Sequence, residues 1–412
     1  MARAVVFTYP DPSHVLSALP VFAELARRGE QVTIYSTATY RDAIESSGAT
    51  YSCYSGTMDA SSNGPFGGMW RRIAFAEQVL PELLETLRAQ RPDYVILDAA
   101  ANWGSVVAGV LRIPAVSYRL TFALHRDMLD AAEMVRRFYG QASQEFVLQG
   151  MLDLAGYYET AHRVDRQYGS RTADVASSLE CRCDLNLVLI ARALQIEPER
   201  FDQSYRFVGR CLGESLEQDS SSWDELGADP LIYISLGTVF NNRPEFFRAC
   251  LEAFGGLPLR VAMSAGRRVD LAALGPVPPN FLLAAYLPVP IAKLLARCTL
   301  AITHAGAGTL EECARAGLPQ LMYPQAGDQF ILADRVQQLG AGLRLSDADI
   351  AGGRLRELAS RVMDDPSYRR AARALSESVR ETGGTAQACD EIQAFARRIA
   401  DQESASTRRE KS

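Results

Sequence analysis

The sequence predicts an α/β protein made of two parallel-sheet domains. The chain has 412 residues, of which 48% are hydrophobic and 22% charged, enough for two cores of ordinary globular composition. Short β-branched runs alternate with longer helical patterns from the start of the chain, which is typical of βαβ units with a parallel sheet. The alternation stops at the polar, Ser-rich stretch 211–229 and then restarts, so each half has its own series of strands and helices.

The first half begins with a βαβ unit. The run Ala4–Thr8 predicts a strand, and Ser13 is the predicted cap of a helix that ends near Arg28. Gly29 stops this helix before the next strand, Gln31–Tyr35. The pattern continues with helices over Phe75–Gln90 and Trp103–Val110 and with strands over Tyr94–Asp98, Ala115–Tyr118, Leu185–Leu189 and Tyr205–Gly209. A long helical insert rich in Phe, Tyr and Met interrupts it at about 127–178.

The second half repeats the alternation. It has predicted strands over Leu231–Leu236 and Leu259–Met263, a helix over Pro244–Phe254, and further strands near Leu282, Leu300, Leu321 and Leu343. Residues 350–400 are helical and charged, and the last dozen have the composition of a disordered segment. We therefore divide the chain into a domain at 1–210, a linker at 211–229, a domain at 230–385, a helix at 386–402 and a disordered tail at 403–412.

Composition argues against several classes of protein. Because 43 basic and 49 acidic residues give a net charge of −6 without a long basic cluster outside the tail, we expect no nucleic-acid partner. The sequence has no apolar run long enough for a membrane span, and its N-terminal apolar run is too short for a signal peptide. The eight cysteines are scattered, and Cys181-x-Cys183 lacks the spacing of a zinc site. We expect a cytoplasmic monomer or homodimer with free thiols.

A strand, a small-residue turn and a helix start follow one another near residue 304. The apolar run Leu300–Thr303 ends at His304, and Thr309 opens a helix after a turn of Gly and Ala. Free backbone N–H groups and the helix dipole attract a phosphate at such a junction, and His304 can add a hydrogen bond. Glu312 can accept from ribose hydroxyls. After a short strand that a proline ends, a loop carries Asp328 and Gln329, an acceptor and an amide suited to sugar hydroxyls.

These residues resemble the nucleotide-sugar signature of family 1 glycosyltransferases, in the branch of bacterial macrolide and other natural-product enzymes. The match runs from His304 to Gln329 as His-x-Gly-x-Gly-Thr-x-x-Glu, then Gly-x-Pro, then Pro and Asp-Gln. The resemblance implies the GT-B fold, in which two Rossmann-like domains face each other across a cleft and the C-terminal helix crosses back to the N-terminal domain. It also implies that the N-terminal domain binds the acceptor and the C-terminal domain the nucleotide sugar.

The resemblance also assigns roles to the donor-site residues. The diphosphate would be held by His304, Gly306, Gly308 and Thr309, with Ser235 and Thr238 of an upstream Ser-Leu-Gly-Thr element. Glu312 would take the ribose, and Asp328 and Gln329 the transferred sugar. Where the family often has Trp-x-Pro-Gln against the base, this chain has Tyr286 and Val289 at the outer positions, so a tyrosine can stack but the glutamine is missing. UDP and TDP both stay open, and Asp328-Gln329 favours a glucose-like donor.

Transfer of a sugar to a hydroxyl needs a base. The family carries a histidine in the first strand-to-helix loop, where this chain has His14, although the usual Gly-His-x-x-Pro has become Ser-His-Val-Leu-Ser. Asp98, at the end of a strand, would orient His14, or would instead cap the helix that follows Asn102. His125 lines an acceptor pocket or is an alternative base, and His162 is predicted on a solvated helix face.

The expected activity is an inverting, metal-independent transfer of a hexose to a small hydrophobic acceptor such as a macrolide. We expect no cofactor, because the nucleoside-diphosphate sugar is a co-substrate. Asp347-Ala348-Asp349 is better explained as a helix cap than as a metal site. The helical insert either binds the acceptor or flanks the sheet. Two alternatives stay open: a sugar-nucleotide epimerase of the same fold, and a non-catalytic activator protein that resembles a transferase.

Overall fold

The computed structural model describes residues 2–58, 66–128, 144–213, 229–238, 241–287 and 291–410. It contains two sheets whose strand pairs are all parallel. The first has β1 (Arg3–Phe7), β2 (Gln31–Ser36), β3 (Thr50–Cys53), β4 (Tyr94–Asp98), β5 (Ala115–Arg119), β6 (Leu185–Val188) and β7 (Tyr205–Phe207). The second has β8 (Leu231–Ser235), β9 (Arg260–Ser264), β10 (Phe281–Ala284), β11 (Cys298–Thr303), β12 (Gln320–Met322) and β13 (Gly342–Arg344).

Helices connect these strands and cover both faces of each sheet. In the first half they are α1 (Pro12–Arg27), α2 (Arg41–Ser46), α3 (Gly67–Gln90), α4 (Trp103–Leu111), α5 (Gln144–Tyr168) and α6 (Val175–Glu180). In the second half they are α7 (Pro244–Phe254), α8 (Ile291–Leu295), α9 (Ala307–Arg315), α10 (Asp328–Gln338), α11 (Asp347–Ala351), α12 (Leu355–Asp364), α13 (Pro366–Arg380) and α14 (Gly384–Glu410). The predicted α/β architecture of two parallel-sheet domains is confirmed.

Each sheet reverses its strand order at one internal point. The first has the order β3-β2-β1-β4-β5-β6-β7 and the second β10-β9-β8-β11-β12-β13, so the reversals fall between β1 and β4 and between β8 and β11. In the register of these pairs Phe7 lies opposite Leu97, and Ser235 lies opposite Thr303. Loops that leave neighbouring strands in opposite directions open a crevice at such a point, and ligands of open α/β sheets bind there.

The last helix crosses back to the first domain, as the resemblance implies. In α14, Cys389 and Phe395 are buried in the core beneath α1, and the ring of Phe395 lies 6.4 Å from that of Tyr94. An ion pair of 2.5 Å joins Asp390 to Arg28. The prediction of a disordered tail from residue 403 differs from the structure, in which α14 continues to Glu410. A helix that is already packed extends cheaply, because each added residue forms a backbone hydrogen bond.

The two halves also share an apolar core. Phe122 and Leu194 of the first half are buried in one cluster with Leu310 and Leu332 of the second. The Arg335 side chain crosses the same boundary and donates to the backbone oxygen of Ala193 at 3.0 Å. The two halves are thus joined by apolar packing and by a hydrogen bond. Within the described ranges, no helix is both long and apolar enough to cross a membrane.

Candidate active site

His14 and Asp98 meet at the reversal point of the first sheet. His14 lies in the first turn of α1, whose cap is Asp11 rather than the predicted Ser13, because the Asp11 carboxylate accepts from the Ser13 N–H at 2.9 Å. Asp98 ends the neighbouring strand β4. His14 Nδ1 lies 2.7 Å from Asp98 Oδ2, and the Ala100 N–H donates to Oδ1 at 2.8 Å. Asp98 therefore holds the imidazole and does not cap α4, whose cap position is Asn102.

The carboxylate controls the protonation of His14. Burial lowers the pKa of His14, but the charge of Asp98, its hydrogen bond and the charge of Asp11 outweigh this effect and raise the pKa above 6.5. Asp98 is 2% exposed, whereas the His14 side chain is 28% exposed. Because Nδ1 is engaged by Asp98, Nε2 is the nitrogen left to contact a ligand. The ring of Tyr9 lies edge-on to His14, with 5.0 Å between the ring centres.

His304 occupies a slot between two glycines at the reversal point of the second sheet. A Cβ on Gly237 would lie 2.5 Å from His304 Cε1, and one on Gly306 would collide with Nε2. Burial lowers the pKa of His304 to about 4, so the imidazole is neutral at pH 7. Its Nδ1 is buried without a hydrogen-bond partner among the described residues. The glycines of both signature elements therefore make room for this ring.

The loop after β8 is fixed by its own polar groups. The Ser235 hydroxyl accepts from the Gly237 N–H at 3.1 Å, and the Asn241 amide donates to the Gly237 oxygen at 2.7 Å. Asn241 is 1% exposed and packs so closely on Gly266 that a Cβ there would collide with it. Thr238 lies exposed at the start of the turn. The sequence pattern predicted Ser235 and Thr238, whereas it gave no signal for Asn241.

The turn into α9 presents free N–H groups. Ala305 has φ of 61°, a left-handed conformation that is strained for a residue with a Cβ, and it is fully buried. Gly306 is the N-cap of α9, and the first intrahelical bond runs from the Leu310 N–H to its oxygen at 2.9 Å. The N–H groups of the preceding helical positions, Gly308 and Thr309 among them, thus remain available to an anion.

The two glutamates of α9 have different environments, and both contact Arg210, which the sequence pattern missed. Glu311 is buried, accepts from the Arg210 N–H at 3.0 Å, and has a pKa that burial raises to about 7. Glu312 lies 3.2 Å from the Arg210 guanidinium. Burial raises the pKa of Glu312, although the charge of Arg210 opposes this effect. Glu312 is the more accessible of the two and suits the predicted contact with a ribose.

Asp328 and Gln329 are the first residues of α10, not part of a loop as predicted. Gly327, with φ of 61°, turns the chain so that the helix begins directly after it. The Gln329 oxygen accepts from the Gln325 N–H at 2.8 Å, so this oxygen is engaged within the protein and a ligand would meet the amide N–H groups instead. Burial raises the pKa of Asp328, while neighbouring Thr121 and the charge of His14 lower it. Asp328 therefore lies near the histidine of the opposite domain.

The other predicted residues lie around this centre. Tyr286 is 44% exposed, with the Arg267 guanidinium 5.3 Å from its ring centre, whereas Val289 lies outside the described residues. His125 accepts from the Asp127 N–H at 3.3 Å and lies beside Phe201, with 6.2 Å between the ring centres. His162 is exposed on α5 and stacks on Tyr158, as predicted for a solvated face.

The Asp-x-Asp element is a helix cap, as predicted. Ser346 caps α11 in a capping box with Asp349, and Arg354 lies 2.8 Å from the same carboxylate. Asp347 is engaged by Arg243 and by the hydroxyl of Tyr323. Both carboxylates thus have partners within the protein.

Comparisons with known proteins find relatives of this chain. The family described as "Erythromycin biosynthesis protein CIII-like, C-terminal domain" matches residues 259–389. The chain is 31% identical over 405 residues to the oleandomycin glycosyltransferase of Streptomyces antibioticus, covering 95% of this chain and 90% of that protein. It is 27% identical over 405 residues to YojK of Bacillus subtilis (strain 168), named an uncharacterized UDP-glucosyltransferase, covering 95% and 97%. The crystal structure of CalG4, the calicheamicin glycosyltransferase, superposes with a TM-score of 0.79 at 28% identity, covering 97% of this chain and all of that one.

Proposed function

The chain belongs to the family 1 glycosyltransferases of natural-product biosynthesis, and on that premise we propose which reaction its cleft performs. The enzyme transfers a hexose from a nucleoside-diphosphate sugar, with inversion and without a metal, to a hydroxyl of a small hydrophobic acceptor such as a macrolide. One observation carries the proposal. An imidazole held by a buried carboxylate at 2.7 Å lies at the reversal point of one sheet, near Asp328 of the opposite domain.

In this mechanism His14 is the base. The acceptor hydroxyl gives its proton to Nε2 of His14, and its oxygen bonds to the anomeric carbon of the sugar. The bond from that carbon to the diphosphate breaks on the opposite side, so the configuration inverts. Asp98 holds the Nδ1–H and stabilises the imidazolium that forms. The leaving diphosphate gains negative charge next to the free N–H groups of α9 and the neutral His304, which stabilise it.

The donor is held by the domain at 230–385. Its diphosphate lies against Ser235, Thr238 and the turn from His304 to Thr309, and its ribose against Glu312. Tyr286 stacks on the base. The carboxylate of Asp328 accepts from two sugar hydroxyls while the Gln329 amide donates, which favours UDP-glucose over a TDP-deoxysugar. The name of YojK, a UDP-glucosyltransferase, supports the same choice.

The acceptor binds to the domain at 1–210. Tyr9 beside His14 offers an aromatic wall next to the base. Helix α5 packs along α3, where Trp70 covers Gly156, and it leaves Met151 and Leu152 largely exposed. An apolar acceptor is the ligand that such surfaces favour. The name of the oleandomycin glycosyltransferase, a macrolide enzyme, supports an acceptor of this class.

Donor screening tests the proposal. We expect UDP-glucose or TDP-glucose to raise the unfolding temperature, because a ligand at a hundredfold excess over its Kd stabilises a protein by about 2.7 kcal/mol. The same donor with a macrolide acceptor should give a product heavier by one hexose in mass spectrometry. GDP-mannose is the control donor. If no uridine or thymidine nucleotide sugar stabilises the protein and no acceptor gains a hexose, the proposal is wrong.

A further inference from the structure

Arg210 is anchored where the two domains and the last helix meet. It follows β7 at the end of the first half, and its N–H donates to Glu311 of α9 at 3.0 Å. Its carbonyl oxygen packs against Gly384 at the start of α14, where a Cβ would lie 2.9 Å away. The preceding residue, Gly209, has φ of +75° and packs so closely on Thr382 that a side chain there would collide. The backbone of Arg210 is thus held from two sides.

The guanidinium of Arg210 lies over the donor signature. One terminal nitrogen lies 3.2 Å from Glu312, the proposed ribose ligand. The other lies 2.5 Å from the position that a Cβ on Gly308 would take. The Arg210 side chain is 30% exposed, so the group is accessible from solvent. Gly308 therefore leaves room for an arginine of the opposite domain as well as for a phosphate.

None of the residues assigned to the proposed diphosphate site carries a positive charge. A nucleoside diphosphate carries at least two negative charges at pH 7. Ser235, Thr238 and Thr309 are neutral, and burial lowers the pKa of His304 to about 4, so this histidine is neutral as well. Arginine is the side chain best suited to phosphate, because its planar N–H groups bind two oxygens at once.

We infer that Arg210 is a donor-binding residue that pairs with Glu312 in the free enzyme and with the diphosphate in the complex. This inference rests on the proposed function. The ribose hydroxyls take the Glu312 carboxylate, and the released guanidinium turns a short distance to the phosphates above Gly308. The N-terminal half thereby completes the donor site of the C-terminal half. Since the diphosphate gains charge as it leaves, Arg210 supports turnover as well as affinity.

Comparing a nucleotide with its nucleoside tests this role. In Arg210→Ala, we expect the affinity for UDP in titration calorimetry to fall about 10- to 100-fold, the effect of losing hydrogen bonds to a charged group. Uridine lacks the phosphates, so its affinity should stay within about threefold of the parent. Arg210→Lys keeps the charge and should recover part of the loss. TDP and thymidine serve in the same way if the parent prefers thymine.

Arg206→Ala is the matched control. Arg206 forms a comparably exposed ion pair with Glu391 of α14 at 3.0 Å, and its described hydrogen bonds go to the backbone of Gln203 and Tyr205 rather than to α9. Its removal should therefore leave both affinities within about threefold. An unchanged UDP affinity in Arg210→Ala, or an equal loss for UDP and uridine, would overturn the inference and make Arg210 a brace for Glu312. A parent enzyme that binds neither UDP nor TDP would instead refute the proposed function. If the alanine variant does not unfold cooperatively, Arg210→Gln and Arg210→Lys provide the same comparison.

Discussion

Replacing His14 by alanine should remove most alcohol glycosylation and spare nucleotide binding. A positioned general base contributes about 10²- to 10⁴-fold to the rate, which is about 3 to 5.5 kcal/mol of transition-state stabilisation. The 2.7 Å contact with Asp98 holds His14 in place for this role. UDP should bind as in the parent, because His14 is not among the proposed nucleotide contacts. Initial-rate kinetics and UDP titration measure the two effects separately.

The identity of the acceptor separates proton transfer from packing. An acidic phenol is already ionised and needs no base, and a thiol ionises far more readily than an alcohol. Either acceptor should therefore recover much of the rate that His14→Ala loses with an alcohol. His162→Ala is the control, because this exposed histidine only stacks on Tyr158 among the described contacts of its ring. If His14→Ala glycosylates its alcohol within about threefold of the parent, the base lies elsewhere, and His125→Ala becomes the next variant to measure.

Substitution of Asp98 and the pH dependence of the rate both test whether His14 is the base. The Ala100 N–H fixes Oδ1 of Asp98 as an acceptor, so Asp98→Asn would point its amide N–H₂ at His14 Nδ1 and leave the proton on Nε2. This variant should lose as much activity as His14→Ala, and Asp98→Ala should lose less.

The base must be neutral, and its pKa lies above 6.5, so kcat/KM of the parent should rise with pH through that raised pKa. The rise should disappear in His14→Ala.

Three further predictions concern the donor site and its surroundings. Glu312→Ala and Asp328→Ala should each weaken nucleotide-sugar binding by about 1–3 kcal/mol in calorimetry, since each removes a hydrogen bond to a buried hydroxyl; unchanged affinity in both would sink the donor-site assignment. Gly237→Ala should displace the His304 ring and strain a backbone at φ of +74°, so UDP should no longer raise the unfolding temperature. Gly29→Ala is the control: its φ is +93°, but the space around it is open, so UDP should still raise the unfolding temperature. Burial raises the pKa of Glu311 in the folded protein to about 7, so the folded state favours the protonated carboxyl. The stability that this protonated group contributes is lost as pH rises from 4.5 through about 7. Glu311→Gln, which cannot ionise, should therefore be more stable than the parent at pH 8, by up to about 3 kcal/mol. The exposed Glu381→Gln should show no such gain in denaturant titrations, and equal stability of Glu311→Gln and the parent at pH 8 would refute the burial argument.

Local patterns predicted the parts of the site that depend on neighbours in sequence. Strand ends are marked by apolar runs, and parallel strands bring their carboxyl ends to one edge, so the proximity of His14 and Asp98 followed from the order of elements. The small-residue turn at His304 was recognisable for the same reason. Even here the helix starts were misplaced, because Asp11 and Gly327 begin their helices through backbone turns that residue types alone do not fix.

Long-range contacts explain what the sequence did not predict. Arg210 and Glu311 are 101 residues apart in the sequence, yet they are hydrogen-bonded in the structure. No pattern around Arg210 in the chain predicts a functional role, apart from the glycine before it. Asn241 packs closely against Gly266, a contact that the residue pattern does not reveal. The sequence also did not predict the edge strand β3 or the short helix α2. None of the residues of β3 (Thr50–Cys53) is fully buried, so the strand has no alternation of buried and exposed positions that a sequence pattern could reveal.

The anomeric configuration of the product shows directly whether the acceptor displaces the diphosphate in one step. UDP-glucose carries an α-linked glucose, and attack by an acceptor activated at His14 on the face opposite the diphosphate inverts it. We therefore expect the proton NMR spectrum of the product, formed in the presence of a chelator, to show the large anomeric coupling of a β-glucoside. An α-glucoside, or transfer that stops when divalent metal is chelated, would contradict the account.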